Sequence, residues 1–158
     1  CAVFNQPVII PESVIDTSYM FAGASSFNQP VIIPESVINT SWMFAGASSF
    51  NSEVIIGNSV TNAGYMFGGA TSFNQPVTLP NAITQIYHMF NGCSNFNSMV
   101  LLTSPNVVAA NHTFYNCPIF NQDLSGWCVS NLLSEPVDFS TGSALTEPHK
   151  PVWGTCPV

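Results

Sequence analysis

Residues that could carry acid–base or nucleophilic chemistry are sparse in this sequence. Glu12 and Glu35 occupy the same place in two identical copies of FNQPVIIPESVI, which begin at Phe4 and Phe27. Two exposed carboxylates in register do not make the acid–base pair in a cleft that general catalysis needs. No serine has a histidine and an acid in a triad-like context. The sequence therefore predicts a protein without enzymatic activity.

A column of aromatic residues recurs one position before a methionine ladder. We call it the aromatic row, and its members are Tyr19, Trp42, Tyr65, His88 and His112. If the methionines face inward, the row is at least partly exposed, and its stacked rings could bind sugars or a protein. The alternative is an edge column that only covers the methionines. His88 and His112 could also hold a metal, but spacing fixes no third ligand, so neither metal nor cofactor is predicted.

The five cysteines fall into two groups. Cys1, Cys93 and Cys117 each lie three residues before a recurring phenylalanine. Cys93 and Cys117 are therefore on adjacent repeats, at about the 4.8 Å spacing of neighbouring strands, and could form a disulfide or remain buried thiols. Cys128 and Cys156 lie in the last repeat and the closing tail, which has little core of its own, and we expect them to form a disulfide. That bond indicates an oxidising, extracytoplasmic compartment and leaves Cys1 unpaired.

The elements that position these residues come from a repeat of 23 residues. A Phe-Asn pair recurs at this period four times and then once at 24, and a Met-Phe ladder recurs in phase with it. A fixed period of this size is typical of a solenoid. We therefore predict a leucine-rich-repeat-like solenoid of about six layers over residues 1–131, closed by a C-terminal cap over residues 132–158. The phenylalanines that begin the repeats are Phe4, Phe27, Phe50, Phe73, Phe96 and Phe120.

Each repeat contains one short strand delimited by prolines. Pro7 and Pro11 flank Val8 to Ile10, and because proline has no N–H for a ladder, the strand can be only about three residues long. Alternation places the first and third residues in the core and the middle one outside. The outer residues form the isoleucine column of Ile9, Ile32 and Ile55, continued by Thr78, Leu101 and Ser125. Such an apolar stripe predicts a contact surface, unless a neighbouring domain covers it.

Composition excludes several partners. Only 6% of the residues are charged, and Lys150 is the only cation besides histidine. Nucleic acid is not expected as a partner, because phosphate binding depends on lysine and arginine. No apolar run approaches the roughly 20 residues of a membrane-spanning helix, so no membrane insertion is expected. The chain opens in the middle of a repeat, and we interpret it as a fragment or a mature piece of a longer protein.

Several segments resemble known bacterial repeats. VTLPNAITQIYHMFNGCSNF (77–96) resembles the 23-residue unit of BspA-like leucine-rich-repeat surface proteins, whereas MFAGASSFNQP and FNQDLSGWCVSN resemble a related FNQ/MF repeat family of bacterial surface lipoproteins. The ending resembles the segment that closes such repeats. The resemblance implies a surface location and a buried, unreactive cysteine in the Gly-Cys-Ser context. Pro7 and Ile9-Ile10 depart from the family pattern, so no binding specificity is carried over.

These observations favour a non-enzymatic extracellular binding module, either adhesin-like or a receptor-recognition domain of a virion. Its partner would be a host surface protein or a glycan. The alternatives are a structural spacer or decoration that contacts neighbouring subunits of a larger assembly, and an accessory domain of an enzyme. The columns change along the chain, from Tyr and Trp to His and from Ile to Thr and Leu. A binding surface needs such variation and a spacer does not.

Overall fold

The computed structural model describes residues 3–157, so the expectation for Cys1 lies outside the described residues. The fold is β-rich with almost no helix. Four strands of two residues each occur once per repeat, followed by one 3-10 turn. Their bounds are β1 Val31–Ile32, β2 Val54–Ile55, β3 Val77–Thr78 and β4 Val100–Leu101, with the 3-10 turn at Glu147–His149. The strands are shorter still than the three residues predicted between the prolines.

The strands pair in parallel with their equivalents in the adjacent repeat. β1 pairs with β2 in the register Val31 to Val54, and β3 pairs with β4 in the register Val77 to Val100. On the returning side of each repeat, single parallel bridges continue the contact between neighbours, as between Asn39 and Asn62. Short strands stacked in parallel, one per repeat, agree with the prediction. The ladder nevertheless divides into two separate two-stranded sheets.

The core is a continuous stack of phenylalanine rings. The two ladders meet face to face, with the centroids of Phe21 and Phe27 4.2 Å apart, and along one ladder Phe27 lies 5.8 Å from Phe50. Ten phenylalanines are almost fully buried: Phe27, Phe44, Phe50, Phe67, Phe73, Phe90, Phe96, Phe114, Phe120 and Phe139. Burying one such side chain stabilises a fold by roughly 1.5–3 kcal/mol. The Phe-Asn and Met-Phe periods therefore supply most of what holds the repeats together.

The alternation predicted for the strand is confirmed. Val31 and Ile33 are each 1% exposed, whereas Ile32 between them is 65% exposed. In the first repeat Ile10 is buried and Ile9 is 92% exposed. Because successive side chains of a strand point to opposite sides, one register places every isoleucine of the column on the surface.

An asparagine ladder ties the repeats together beside the phenylalanine stack. The side-chain Oδ1 of Asn5 accepts the backbone N–H of Asn28 at 2.9 Å, and that of Asn28 accepts the N–H of Asn51 at 2.8 Å. The same bond recurs through the later repeats, until Asn121 accepts the N–H of Thr146 in the tail. Each amide therefore satisfies a backbone donor at the turn before the strand.

The tail packs on the last repeats. The ring of Phe139 meets that of Phe114 edge to face at 5.4 Å, and the N–H of Phe114 donates to the carbonyl of Phe139 at 2.8 Å. Cys128 and Cys156 form a disulfide, 28 residues apart in sequence. These contacts hold the tail against Phe114 and against the last repeat at Cys128.

The second disulfide that we considered, between Cys93 and Cys117, is not formed. Both thiols are free and buried. Each one donates to a carbonyl of the preceding repeat instead, Cys93 Sγ to Phe67 O at 3.0 Å and Cys117 Sγ to Phe90 O at 2.9 Å. The two thiols therefore point along the stack in the same direction, which satisfies each of them without a bond between them.

Candidate functional site

The aromatic row forms one stack of five rings along the surface. Successive centroids lie 5.7 Å apart from Tyr19 to Trp42, 3.8 Å from Trp42 to Tyr65, 4.2 Å from Tyr65 to His88 and 4.2 Å from His88 to His112, with nearly parallel ring planes. Tyr19 is 59% exposed, and the other four are partly buried. Because ring faces cover one another, the row presents mainly ring edges to solvent.

All five residues of the row have a left-handed backbone. Their φ angles are 59° at Tyr19, 61° at Trp42, 57° at Tyr65, 53° at His88 and 57° at His112. This region costs an L-residue roughly 1–2 kcal/mol, and for bulky residues it is a rare outlier. The same strain therefore recurs in five successive repeats.

Two backbone hydrogen bonds at each position hold this conformation. The N–H of Tyr19 donates to Ser41 O at 3.1 Å, and that of Trp42 donates to Gly64 O at 2.9 Å, so each residue is fixed to the next repeat. Its own carbonyl accepts from the residue three positions later, as Tyr19 O does from Ala22 N–H at 3.0 Å. Strained backbone persists where the surroundings over-determine it in this way.

A shallow trough of about 500 Å³ runs beside the row. The rings of Tyr19, Trp42 and Tyr65 form one wall. The remaining lining is small apart from Asn91: Ala22, Ala45, Gly46, Gly68, Gly69 and Gly92. Gly46 and Gly69 have φ of 69° and 73°, and a Cβ at Gly69 would lie 3.7 Å from the backbone of Gly46. The small residues keep the trough open along four repeats.

The histidine end of the row has its own polar contacts. His88 Nδ1 lies 2.8 Å from Asn91 Nδ2, and His112 Nε2 lies 3.3 Å from Asp138 Oδ2 in the tail. Burial lowers the pKa of His88, and the nearby His112 lowers it further. The Nδ1 atom of His112 is buried and has no hydrogen-bond partner among the described residues. This end therefore favours a neutral imidazole at His88.

The metal site considered for the two histidines has no further ligands in place. Across residues 3–157, no group of three or more His, Cys, Asp or Glu side chains is arranged to hold a metal ion. The carboxylate of Glu35 is used structurally, because its oxygens accept the N–H of Asn58 at 2.7 Å and the Nδ2 of Asn58 at 3.1 Å. Glu12 stands one repeat away from it and lines a small depression with Ile9 and Ile32.

The isoleucine column lies on the strand side of the repeats, away from the trough lining. Ile9, Ile32 and Ile55 are 92%, 65% and 51% exposed. A depression of about 330 Å³ separates Ile9 from Ile32. The column is an apolar surface of adjacent repeats, and no described residue covers it.

Sequence reasoning missed three features of this surface. The trough could have been found from a signal at the same period, the glycines Gly23, Gly46, Gly69 and Gly92. Tyr87 meets Tyr65 edge-on at 6.2 Å and covers Gly64, where a Cβ would overlap its ring. The left-handed backbone of the row had no sequence signal, because aromatic residues seldom adopt it.

In residues 3–157 no helix combines the length and the apolar character needed to cross a bilayer. None of the curated proteins and none of the solved structures matches the chain. One family model does match it, at residues 11–100, 32–127 and 79–154, and its description is "Mycoplasma protein of unknown function, DUF285". Three overlapping matches are expected when one unit is repeated in tandem. They support the resemblance to BspA-like repeats at the level of this family. Because the matches together span residues 11–154, the chain belongs to the DUF285 family.

Proposed function

We propose that this chain is a non-enzymatic extracellular binding module, adhesin-like or virion-borne, which recognises a host surface protein or glycan. In this proposal the repeats form a leucine-rich-repeat-like solenoid of about six layers, and the binding surface runs along it. The observation that carries the proposal is the aromatic row, five rings held in strained backbone beside an open trough.

Strain of this kind supports a functional role for the row. Glycine already occupies the left-handed positions at Gly23, Gly46, Gly69 and Gly92 in the same turns, at little conformational cost. An asparagine or glycine would likewise suit the row better than Tyr or Trp. Large rings at these positions are therefore not explained by the backbone they occupy, and recognition accounts for them.

The geometry of the rings indicates what the ligand presents. The rings stack on one another at 3.8 to 5.7 Å, so their faces are occupied and their edges are free. The edge of an aromatic ring carries partial positive charge, and Tyr and Trp edges also carry O–H and N–H donors. A ligand with regularly spaced oxygen acceptors fits this surface. Both a linear glycan and an extended segment of a surface protein have them.

Charge should contribute little to the encounter. The chain has 1 Lys or Arg and 8 Asp or Glu among 158 residues, and the trough lining contains no charged side chain. Long-range steering depends on charge and is screened by salt. Binding through the trough is therefore expected to change little between low and high salt.

The disulfide supports an extracellular location. Disulfides persist in oxidising compartments and are rare in the cytosol, and Cys128–Cys156 fixes the tail to the last repeat. Cell surface and virion surface are both compatible with it.

The test removes one ring without straining the backbone. Trp42→Asn deletes the indole at φ 61°, where asparagine is tolerated. Its matched control is Val108→Asn, at an exposed residue outside the trough. Both variants and the parent are assayed against a glycan array and a panel of host surface proteins, at low and high salt. We expect Trp42→Asn to weaken binding at least about tenfold, the scale of a lost aromatic anchor, and Val108→Asn to leave it unchanged.

A triple variant, Ile9→Ser with Ile32→Ser and Ile55→Ser, tests the isoleucine column separately. Loss of binding in this variant alone would move the site to the strand side. A ligand whose affinity survives both sets of changes would exclude both surfaces. A steep fall of affinity with salt would instead point to the acidic residues Glu12, Glu35 and Glu53.

A structural spacer remains the second candidate because of the uniformity of the interior. The asparagine ladder and the phenylalanine stack repeat with hardly any change from one repeat to the next. A spacer requires only this interior. It predicts that Trp42→Asn alters no interaction of the parent assembly, whereas the binding module predicts a loss.

A further inference from the structure

The parallel ladder is interrupted between the third and fourth repeats. The N–H of Val31 donates to Glu53 O at 3.0 Å and that of Ile33 donates to Ile55 O at 2.8 Å, which joins β1 to β2. The equivalent donors one repeat later, Val54 and Ile56, make no such bonds, and β2 and β3 belong to different sheets. Backbone donors of one repeat and acceptors of the next therefore face each other without pairing.

The same strand bonds are missing between the first and second repeats, where the N–H groups of Val8 and Ile10 make none. In both places the following repeat has prolines on either side of its strand, at Pro30 and Pro34 or at Pro76 and Pro80. The residue before the strand is Pro7, Pro30 and Pro76 in the first, second and fourth repeats, but Glu53 in the third. The residue after the strand is Pro11, Pro34 and Pro80 in those repeats, but Gly57 in the third. The fifth repeat also lacks both prolines, with Met99 and Thr103 at these positions. A strand therefore pairs with the next one where the next repeat lacks the prolines, as β1 does with β2 and β3 with β4.

Gly57 allows the third repeat to lie closer to the second. A Cβ at this position would overlap the carbonyl of Pro34, so no other residue permits this approach without a shift. The carboxylate of Glu35 adds to it by accepting two hydrogen bonds from Asn58. On the other side, Thr103 and Asn106 donate to Asn81 and join the fourth and fifth repeats. The third repeat is thus tied to the second and the fifth to the fourth, whereas the strand hydrogen bonds between the third and fourth repeats are missing.

A cleft of about 580 Å³ lies on the strand side of these repeats, lined by residues of β2 and β3, and we call it the strand cleft. This volume lies within the roughly 300–1,000 Å³ of small-molecule sites. Its apolar lining includes Val54 and Leu79, both buried. Its polar side chains are Glu53, Asn58, Gln75, Thr78, Asn81 and Thr103.

We propose that the strand cleft binds a neutral, hydroxyl-rich ligand of the size of one or two sugar rings, separately from the aromatic row. Amide groups, hydroxyls and a carboxylate can each donate to or accept from sugar hydroxyls. The unpaired backbone groups of β2 and β3 add donors and acceptors at fixed positions. Val54 and Leu79 supply an apolar floor for the C–H side of the ring.

Charge disfavours the other ligand classes. The lining contains one carboxylate, Glu53, and no Lys, Arg or His, so phosphates, sulfates and carboxylates lack a partner. A calcium site in a protein normally has more charged ligands than the single carboxylate of this lining. An inserted peptide strand would need about twice the 4.8 Å strand spacing, whereas β2 and β3 still lie in contact. A neutral polyol meets none of these obstacles.

The experiment is an NMR titration of the whole chain with methyl glycosides of glucose, galactose, mannose and N-acetylglucosamine. We expect saturable shifts of the amide signals of Val54, Ile56 and Thr78 for at least one glycoside. Thr78→Ile removes one hydroxyl and recreates the exposed isoleucine of the first three repeats. It should lower the affinity by about tenfold, the scale of one or two hydrogen bonds.

Two variants control this result. Glu12→Gln changes a carboxylate that lines a different depression and should leave the affinity unchanged. Trp42→Asn should also leave the glycoside affinity unchanged. Failure of the strand-cleft proposal is therefore distinguishable from failure of the binding module proposed above.

A further variant acts on the cleft itself. Gly57→Pro restores the residue of the neighbouring repeats, moves the third repeat away from the second and should abolish the shifts. The amide signals of the first and last repeats check that the variant is folded, and they should not change. If they do change, the affinity of Thr78→Ile is used to test the proposal instead. The proposal is overturned if no glycoside shifts the cleft amides up to its solubility limit. It is also overturned if Ca²⁺ or inorganic phosphate shifts them in preference to every glycoside.

Discussion

The backbone of the aromatic row offers a direct test of the strain that we attribute to it. Tyr19 is the simplest position, because it ends the row, is 59% exposed and stacks on one neighbour, Trp42, at 5.7 Å. The perturbation is a pair of variants, Tyr19→Ala and Tyr19→Gly. Both remove the ring and its stacking, so their difference depends on the Cβ and on the freedom of the unfolded chain.

The magnitude follows from two opposing terms. At φ 59° a Cβ costs roughly 1–2 kcal/mol, which Tyr19→Gly relieves and Tyr19→Ala retains. Glycine also loosens the unfolded chain, which costs about 0.4–1 kcal/mol relative to alanine. We therefore expect Tyr19→Gly to be the more stable of the two by roughly 0.5–1 kcal/mol, the reverse of the usual order.

The assay is urea denaturation of both variants with a matched pair at Val108. Val108 is exposed and is not among the residues with positive φ, so there alanine should be more stable than glycine by about 0.4–1 kcal/mol. Subtracting the two differences isolates the strain at residue 19, expected at about 1–2 kcal/mol. If glycine is the less stable residue at both positions by the same amount, the row carries no strain and that support for its function is lost.

The remaining predictions concern titration and sulfur chemistry. Because the pKa of His88 is lowered by burial, the unfolded chain takes up a proton at His88 before the folded chain does as the pH falls. The free energy of unfolding should therefore decrease as pH drops below about 6.5. Urea midpoints that no longer decrease with pH in His88→Asn would identify His88 as the cause. Mutating Cys128 and Cys156 together to serine should cost about 3–4 kcal/mol for a 28-residue separation, and hydrogen exchange should show the tail opening before the repeats. Burial raises the pKa of Cys117 to about 12 and that of Cys93 well above its usual range; both should therefore resist iodoacetamide at pH 8 until the chain unfolds, and rapid alkylation of the native protein would contradict this.

The two proposed binding surfaces differ in what they require of the repeats. The aromatic row uses what the first five repeats share, a left-handed turn with a ring on it. The strand cleft instead lies beside β2 and β3, two neighbouring strands that are not paired, and Glu53 in its lining stands where the first, second and fourth repeats have proline. Variants of Trp42 and of Thr78 are therefore expected to separate the two completely.

Much of the interior could be predicted from the sequence, because a period states which residues must be equivalent. Residues that recur every 23 positions predict the phenylalanine ladders, the alternation at Val31 to Ile33 and the asparagine ladder. The pairing of Cys128 with Cys156 followed from their place outside the ladder. In each case a local pattern and its burial point to the same structure.

The sequence by itself determined which side chains lie in register and which of them face the core, because both depend only on the period and on the alternation of a strand. Only the tertiary structure decided how closely neighbouring repeats approach. The close approach of Gly57 to Pro34, the direction of the Cys93 and Cys117 thiols and the left-handed backbone of Tyr19 and Trp42 all depend on contacts between repeats. How closely two repeats pack depends on many atoms at once, so no single residue type in the sequence indicates it.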